Sequence, residues 1–249
     1  NNRIILKPVF KDMRERIEKE NPGISRNELT RKMYQEYIKG YYRLVKSVDD
    51  QVARVLDYLK ESELEKDTLV IYTSDQGFSL GEHGFYNKQW MYENPLHQPL
   101  LVRFPGKISP KQVHQSMVNH IDLAPTLVDY AGLPIPSDIQ GHSLRGILEG
   151  KTEKVRDESY YHFYKHGTTL PEMIGIRTDT HKLIHYPGMI GKYQWELFDL
   201  VHDPEEMKNL YHQPKNIKLR EEMSERLRKL IRKVSDPVVA PNLINQSKD

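Results

Sequence analysis

Apolar positions along the chain fall into several patterns, and each predicts a different element. At Ser25-Arg26-Asn27-Glu28 a capping box, with Glu three residues after Ser, predicts a helix start. Leu44, Val45, Val48, Val52, Val55, Leu56 and Leu59 then recur at 3–4 residue spacing, which makes that helix long and amphipathic. After a short polar connection, Thr68 to Thr73 is a continuous β-branched and aromatic run. It reads as a strand buried on both faces, as in a parallel sheet. Pro99 to Phe104, closed by Pro105-Gly106, is a second such run, and the two are expected to lie parallel. Helix, short loop and buried strand together are the grammar of an α/β fold. Ile121 to Gly132 predicts a short helix, with Pro125 in its first turn and Gly132 at its C-cap.

The pattern changes near Gly150 to Lys154. Beyond it come short aromatic-rich runs at 159–164, 174–177, 181–186 and 195–200, which predict a small antiparallel sheet. From Asn216, Leu219, Met223, Leu227, Leu230, Ile231 and Val234 share one stripe, a terminal amphipathic helix. The expected division is therefore an α/β portion over 1–152 and an α+β subdomain over 153–249. Residues 1–24 are highly charged and carry an Asn21-Pro22-Gly23 turn signal.

Composition narrows the chemistry. The chain has 249 residues, enough for ample core. Lys+Arg minus Asp+Glu is 37 − 35 = +2, which gives no bias towards polyanions, so no nucleic-acid partner is expected. No apolar run approaches the roughly 20 residues of a membrane helix, and Asn1 to Lys7 is too short and polar-flanked for a signal peptide. Zero Cys excludes disulfides, thiolate catalysis, Cys-ligated zinc and iron–sulfur clusters. Any metal must be held by Asp, Glu, Asn, Gln or His.

The strongest local signal is Tyr72-Thr73-Ser74-Asp75-Gln76-Gly77, where a strand ends and a Gly permits a tight turn. Ligands in open α/β sheets bind outside the carboxyl ends of strands, which suits Asp75 and Gln76. A carboxylate and a neighbouring amide oxygen are hard ligands for Ca²⁺ or Mg²⁺. The same residues also satisfy a plain turn in which Asp75 caps its own backbone. Gly81-Glu82-His83-Gly84 then permits a loop that folds tightly over a site, with Lys88 able to present an ammonium to an oxyanion. Lys88 and His83 also fit the plainer roles of a solvated lysine and a structural histidine.

Taken together, Ser74-Asp75-Gln76-Gly77, Leu80-Gly81-Glu82-His83-Gly84 and Lys88 resemble the second half of a type I sulfatase, a branch of the alkaline phosphatase superfamily. Further segments match in order. Pro99 to Gly106 resembles the family's strand, Asp122 to Gly132 its "DLxPTLLxLAG" helix, and Gln140 to Leu144 its "QGxSL" loop. Arg177 to Ile184 and Glu196 to Glu206 resemble its final sheet segment, so the likeness covers about residues 30–235. The resemblance implies the C-terminal part of an alkaline-phosphatase-like sandwich followed by the small α+β subdomain. It implies sulfate-ester hydrolysis with a formylglycine nucleophile and a bound Ca²⁺, with Mg²⁺ the other hard cation that fits. Asp75 and Gln76 become metal ligands (Asn or His is commoner at the second position), and Lys88 becomes the sulfate contact.

The family's Cys- or Ser-x-Pro-Ser-Arg nucleophile motif, its paired-Asp strand end and its Gly-Lys-Trp-His segment do not occur in this chain. The resemblance therefore implies a C-terminal half that partners the rest of the same fold, whether as an excised piece, an ordered fragment or a split gene. By itself the chain is expected to be inactive. Trp90-Met91-Tyr92-Glu93 and Tyr160 to Tyr164 are most similar to sulfatases of sulfated glycans, the N-acetylglucosamine-6-sulfatase-like and mucin-desulfating group. His97-Gln98-Pro99 departs from the Arg-Thr-Pro more common there. His83, His97, His162, His166, Arg177 and Trp195 are the candidates for the sugar subsite, although Tyr160 to Tyr164 also fits plain sheet core. The family implies a periplasmic or extracellular location. The competing readings are a phosphodiesterase or phosphomutase of the same superfamily, and a non-catalytic glycan-binding relative.

Overall fold

The capping box forms as its sequence predicts: Ser25 Oγ accepts from the Glu28 N–H, and Glu28 Oε2 accepts from the Ser25 N–H, both at 3.3 Å. These coordinates come from a computed structural model, which describes residues 8–164 and 170–236. The described residues divide into two compact units. One comprises 8–88 with 97–110, the other 89–96 with 111–164 and 170–236.

In the first unit, α1 (Lys11–Glu20) and α2 (Arg26–Glu61) flank the Asn21-Pro22-Gly23 turn, where Gly23 takes a φ of 79°. The sequence reading had no helix at α1. Phe10, Ile17, Leu29 and Met33 make the core between the two helices, and Tyr37 and Tyr86 pack on it. Farther along α2 the apolar stripe continues without cover: Leu44 is 69% exposed, and Val45, Val48 and Val55 are also exposed. An open apolar groove of about 340 Å³ runs beside it, lined by Val48, Val52, Val55, Leu56, Val70 and Ile71.

Both expected strands exist, as β1 (Val70–Thr73) and β4 (Leu100–Arg103), but their direction corrects the expectation. They pair antiparallel, Val70 opposite Arg103 and Thr73 opposite Leu100. Nor are they buried on both faces, since Tyr72 and Leu101 are exposed. An apolar run reports that both faces of a strand suit burial; it carries no information on the direction of the neighbour. Between them, β2 (Ser79–Leu80) and β3 (Tyr86–Asn87) form a small hairpin.

The second unit is organised on an antiparallel meander of β5 (Glu158–Phe163), β6 (Met173–Thr178), β7 (His181–His185) and β8 (Trp195–Asp199), as expected. Alternation sorts its side chains to two faces. Ile174, Ile176, Leu183 and Leu197 meet Met223, Leu227, Leu230 and Ile231 of the terminal helix α6 (Ile217–Val234). The opposite face is covered by a strap, residues 89–96, whose end is the single turn α3 (Glu93–Leu96). The predicted helix near 121–132 is α4 (Leu123–Tyr130), followed by the single turn α5 (Arg145–Leu148). The 140–144 loop is stitched to α4 by hydrogen bonds from His142 N–H to Asp122 and from Leu144 N–H to Thr126. A Cβ on Gly141 would collide with the Ile121 carbonyl, which explains the glycine there.

His185 lies on the α6 face, 5% exposed, stacked on Trp195 at 4.0 Å, and neither ring nitrogen has a hydrogen-bond partner. Burial pushes its pKa down from 6.5 to about 4. A depressed folded value means the unfolded chain binds the proton first. Stability is then full above about pH 6.5 and falls by about 3 kcal/mol as pH drops to 4. Urea unfolding at pH 7 and pH 4.5 should show this loss, with a shallower pH dependence in His185→Leu. Equal dependence in both proteins would remove His185 as its source.

Candidate functional site

The turn after β1 is built on side chains that bond one another. Ser74 Oγ donates to the Gln76 carbonyl at 2.9 Å, and Gln76 Nε2 lies 3.4 Å from Asp75 Oδ2. Asp75 is exposed and Gln76 half-buried, so the carboxylate and the amide oxygen stand at the strand end as neighbouring hard donors.

The hairpin that follows closes the distance in sequence. Its register sets Ser79 opposite Asn87 and Leu80 opposite Tyr86, so the chain comes back to the level of the turn just before Lys88. Several local features make this reversal possible. Gly81 takes a φ of 132°, and a Cβ there would sit 3.1 Å from the Tyr86 hydroxyl. His83 takes a φ of 51° in the loop, and Glu82 Oε2 accepts from the Leu80 N–H at 2.6 Å. Tyr86 is wedged edge-on between Phe10 and Tyr37, with ring centroids 5.9 and 5.6 Å away. Asn87 Oδ1 accepts from the Lys88 N–H at 2.9 Å, leaving the Lys88 side chain half-buried. Asp75 and Gln76 thus precede the hairpin and Lys88 follows it, while His83 lies in the loop at its far end, all in the first unit. His97 belongs to the same unit and is exposed.

The other candidates lie in the second unit. Arg177 pairs with Glu93, Nη2 to Oε2 at 3.1 Å. The His162 ring is enclosed, its Nδ1 2.6 Å from Asp236 and its Nε2 3.1 Å from Glu172. Trp195 stacks between His185 and Tyr211, at 4.0 and 5.4 Å, against the core. His166 lies outside the described residues.

Sequence reasoning passed over a buried ion cluster beside Arg177. Lys182, with 0% exposure, reaches Glu93 at 2.7 Å and Glu206 at 2.6 Å. Burial opposes charge on Glu93, but Lys182 and Arg177 prevail and hold its pKa down at about 2. Glu206 has Lys182 and the Glu93 N–H as partners, yet burial outweighs them and pushes its pKa up. The available signal was a lysine at a buried register position of β7, directly opposite Arg177.

Metal fit follows from the donor set. Two hard oxygen donors suit part of a Ca²⁺ or Mg²⁺ shell, and Ca²⁺ takes six to eight. Among the described residues, no group of three or more His, Asp and Glu side chains could complete one. No helix among them is long and apolar enough to cross a membrane.

Comparison with known proteins places these features in a family. Residues 8–133 match the sulfatase family, and residues 81–233 match the C-terminal region of N-sulphoglucosamine sulphohydrolase. The chain is 38% identical over 208 residues to an N-acetylglucosamine-6-O-sulfatase of Bacteroides thetaiotaomicron, covering 82% of the chain and 37% of that protein. A protein solved in complex with its substrate D-glucosamine-2-N,6-O-disulfate superposes with a TM-score of 0.82 and 33% identity, over 91% of this chain and 46% of that one. A phosphonate monoester hydrolase of Agrobacterium radiobacter gives a TM-score of 0.69 at 27% identity, over 82% of this chain and 42% of that one. The chain spans less than half the length of these relatives. Its fold is the C-terminal part of the alkaline-phosphatase-like fold, and the chain belongs to the sulfatase family.

Proposed function

We propose that this chain is the part of a carbohydrate sulfatase that supplies two metal ligands, Asp75 and Gln76, and a sulfate-binding ammonium, Lys88. The observation that supports the reading is the β2–β3 register, which sets Asn87 opposite Ser79, so that Lys88 leaves a hairpin entered three residues after Gln76 (79 − 76 = 3). The substrate class is supported by the relatives named for N-acetylglucosamine-6-O-sulfate and for glucosamine disulfate. Asp75 and Gln76 would hold part of the shell of a Ca²⁺ or Mg²⁺ ion, which would supply positive charge to the sulfate oxygens. Asp75 offers the charged ligand and Gln76 a neutral one. Lys88 faces oxygens that redistribute charge as the ester S–O bond breaks, and its effect belongs to the transition state. The formylglycine nucleophile belongs to the remainder of the same fold, the partner of this chain.

As separate candidates for contact with the sugar we propose His83 and His97 of the first unit and His162, Arg177 and Trp195 of the second, with His166 as a further candidate. The test is Lys88→Ala in the protein that carries this chain together with the nucleophile. Turnover of both a 6-sulfated N-acetylglucosamine and an aryl sulfate should fall about a hundredfold, on the order of 3 kcal/mol, with folding and metal content unchanged. Near-wild-type rates on both would remove Lys88 from the site. Loss on the sugar alone would move it to the sugar subsite.

The likeness to a phosphonate monoester hydrolase favours one alternative, phosphoryl or phosphonyl ester cleavage. Faster turnover of a phosphonate monoester than of any sulfate ester would select it.

A further inference from the structure

We infer that His162 is a proton-dependent latch, whose doubly protonated ring ties the end of α6 and the segment entering β6 to the edge strand β5. Every group in the latch belongs to the second unit, so it depends on none of the roles given to Asp75, Gln76 and Lys88.

β5 is an edge of the meander, paired only to β6. Glu158, Tyr160 and His162 alternate along it, and Tyr164 directly after it continues the same face. Each finds a partner on α6 or just beyond it. Glu158 Oε2 accepts from Arg226 Nε at 2.8 Å. The other three converge on one atom, Oδ2 of Asp236. The Tyr160 and Tyr164 hydroxyls each donate to it at 3.0 Å, and His162 Nδ1 lies 2.6 Å from it. Burial and the Asp236 carboxylate push both tyrosine hydroxyls up, so they remain donors. Asp236 follows Ser235, the left-handed C-cap of α6. A carboxylate beyond a helix C-terminus opposes the helix dipole, which a cation beside it offsets. On the other side of the ring, His162 Nε2 lies 3.1 Å from Glu172 Oε1, just ahead of β6. The groups facing His162 are thus Asp236, Glu172, Tyr160 and Tyr164, the last with its ring centroid 3.7 Å away.

A neutral imidazole has one N–H and one bare nitrogen, so it donates to one carboxylate and turns a lone pair to the other. An imidazolium donates to both. With a carboxylate oxygen against each nitrogen, the arrangement fits the cation. Losing the proton therefore breaks one contact, and burial decides which. The Asp236 side chain is 2% exposed and needs its donor, whereas Glu172 at 26% can turn to water. Phe163 and Met173 form the last register pair of β5 and β6, directly beside Glu172. That end of the hairpin is held in acid and loses its anchor as pH rises through the titration of His162.

The test uses the full-length protein that carries this chain, with isotope-labelled histidine. NMR reads the protonation of the two ring nitrogens, and hydrogen exchange gives amide protection factors corrected for the intrinsic effect of pH. Both nitrogens of His162 should carry a proton in acid, and the neutral ring should be the Nδ1–H tautomer. Across the same titration, protection at residues 161–163 and 173–175 should fall about tenfold, while the Leu183 amide changes by less than about twofold. Glu172→Gln should abolish this pH dependence, because an amide can accept from the cation and donate to the neutral ring. A neutral Nε2–H tautomer, a ring that never changes protonation while the protein is folded, or equal protection in both forms would overturn the latch. So would a Glu172→Gln protein that keeps the wild-type pH dependence. Should that variant fail to fold, the tautomer and the protection factors of the wild-type protein decide the question.

Discussion

Asp75→Ala, made in the protein that carries this chain together with the nucleophile, is expected to lower sulfatase turnover at least about a thousandfold, roughly 4 kcal/mol in the transition state. The reasoning is electrostatic. Asp75 is the charged member of the pair at the end of β1, and its exposed carboxylate has no cation within ion-pairing distance among the described residues. Removing it would subtract a unit of negative charge from the proposed hard-cation site, whereas Gln76→Asn would only shorten a neutral ligand and should retain part of the activity. Calorimetric titration with Ca²⁺ should show weakened binding in Asp75→Ala. Unchanged affinity would withdraw both residues from the metal site. The isolated chain should bind Ca²⁺ weakly or not at all, because two donors fall far short of six.

The largest loss of stability should come from Asp122→Ala, a residue with no part in the chemistry. Asp122 has 0% exposure and accepts from the Arg156 guanidinium, from the Asn119 N–H at 2.7 Å and from the His142 N–H at 2.9 Å. Burial alone would raise its pKa, but Arg156 and the two backbone donors outweigh burial and hold it below the usual carboxylate range. Alanine leaves a buried guanidinium and two N–H groups without an acceptor, a change that costs about 3–5 kcal/mol. For a chain of this size that amounts to a fall in Tm of roughly 10 °C. Asp122→Asn should fall between the two, since one acceptor oxygen survives. A shift within a degree or two for Asp122→Ala would show that the loop from 140 to 144 is held by packing alone.

Legibility in the sequence followed the range of the interaction. The capping box at Ser25, the four meander strands and the α6 stripe are set by neighbours within a few residues, and their periodicities are visible directly. The antiparallel pairing of β1 and β4 depends on how the chain returns over the 26 residues between Thr73 and Leu100, and no local pattern encodes that direction (100 − 73 − 1 = 26). At the proposed site, the residue types of Asp75, Gln76 and Lys88 suggest chemistry directly, but the hairpin between them was not legible, because β2 and β3 are two residues each. Lys182 and Asp122 were missed for a physical reason. A charged residue announces a solvated face by its type, and only long-range partners turn it into core.

The strap has a kinetic consequence as well. Arg177 and Lys182 are neighbours along one hairpin, but their shared carboxylate, Glu93, lies 84 residues before Arg177, and its amide bonds Glu206 across 113 residues. Closing loops of that length costs more conformational entropy than closing a hairpin, and the cost is met before any contact rewards it. The meander and α6 should therefore assemble first, with the strap docking onto a finished sheet as a late, separable event. Native-state hydrogen exchange would register this as an opening of the Glu93 amide at lower free energy than the Leu183 amide in the middle of β7. Mutations at the strap should then speed unfolding and leave the folding rate almost unchanged.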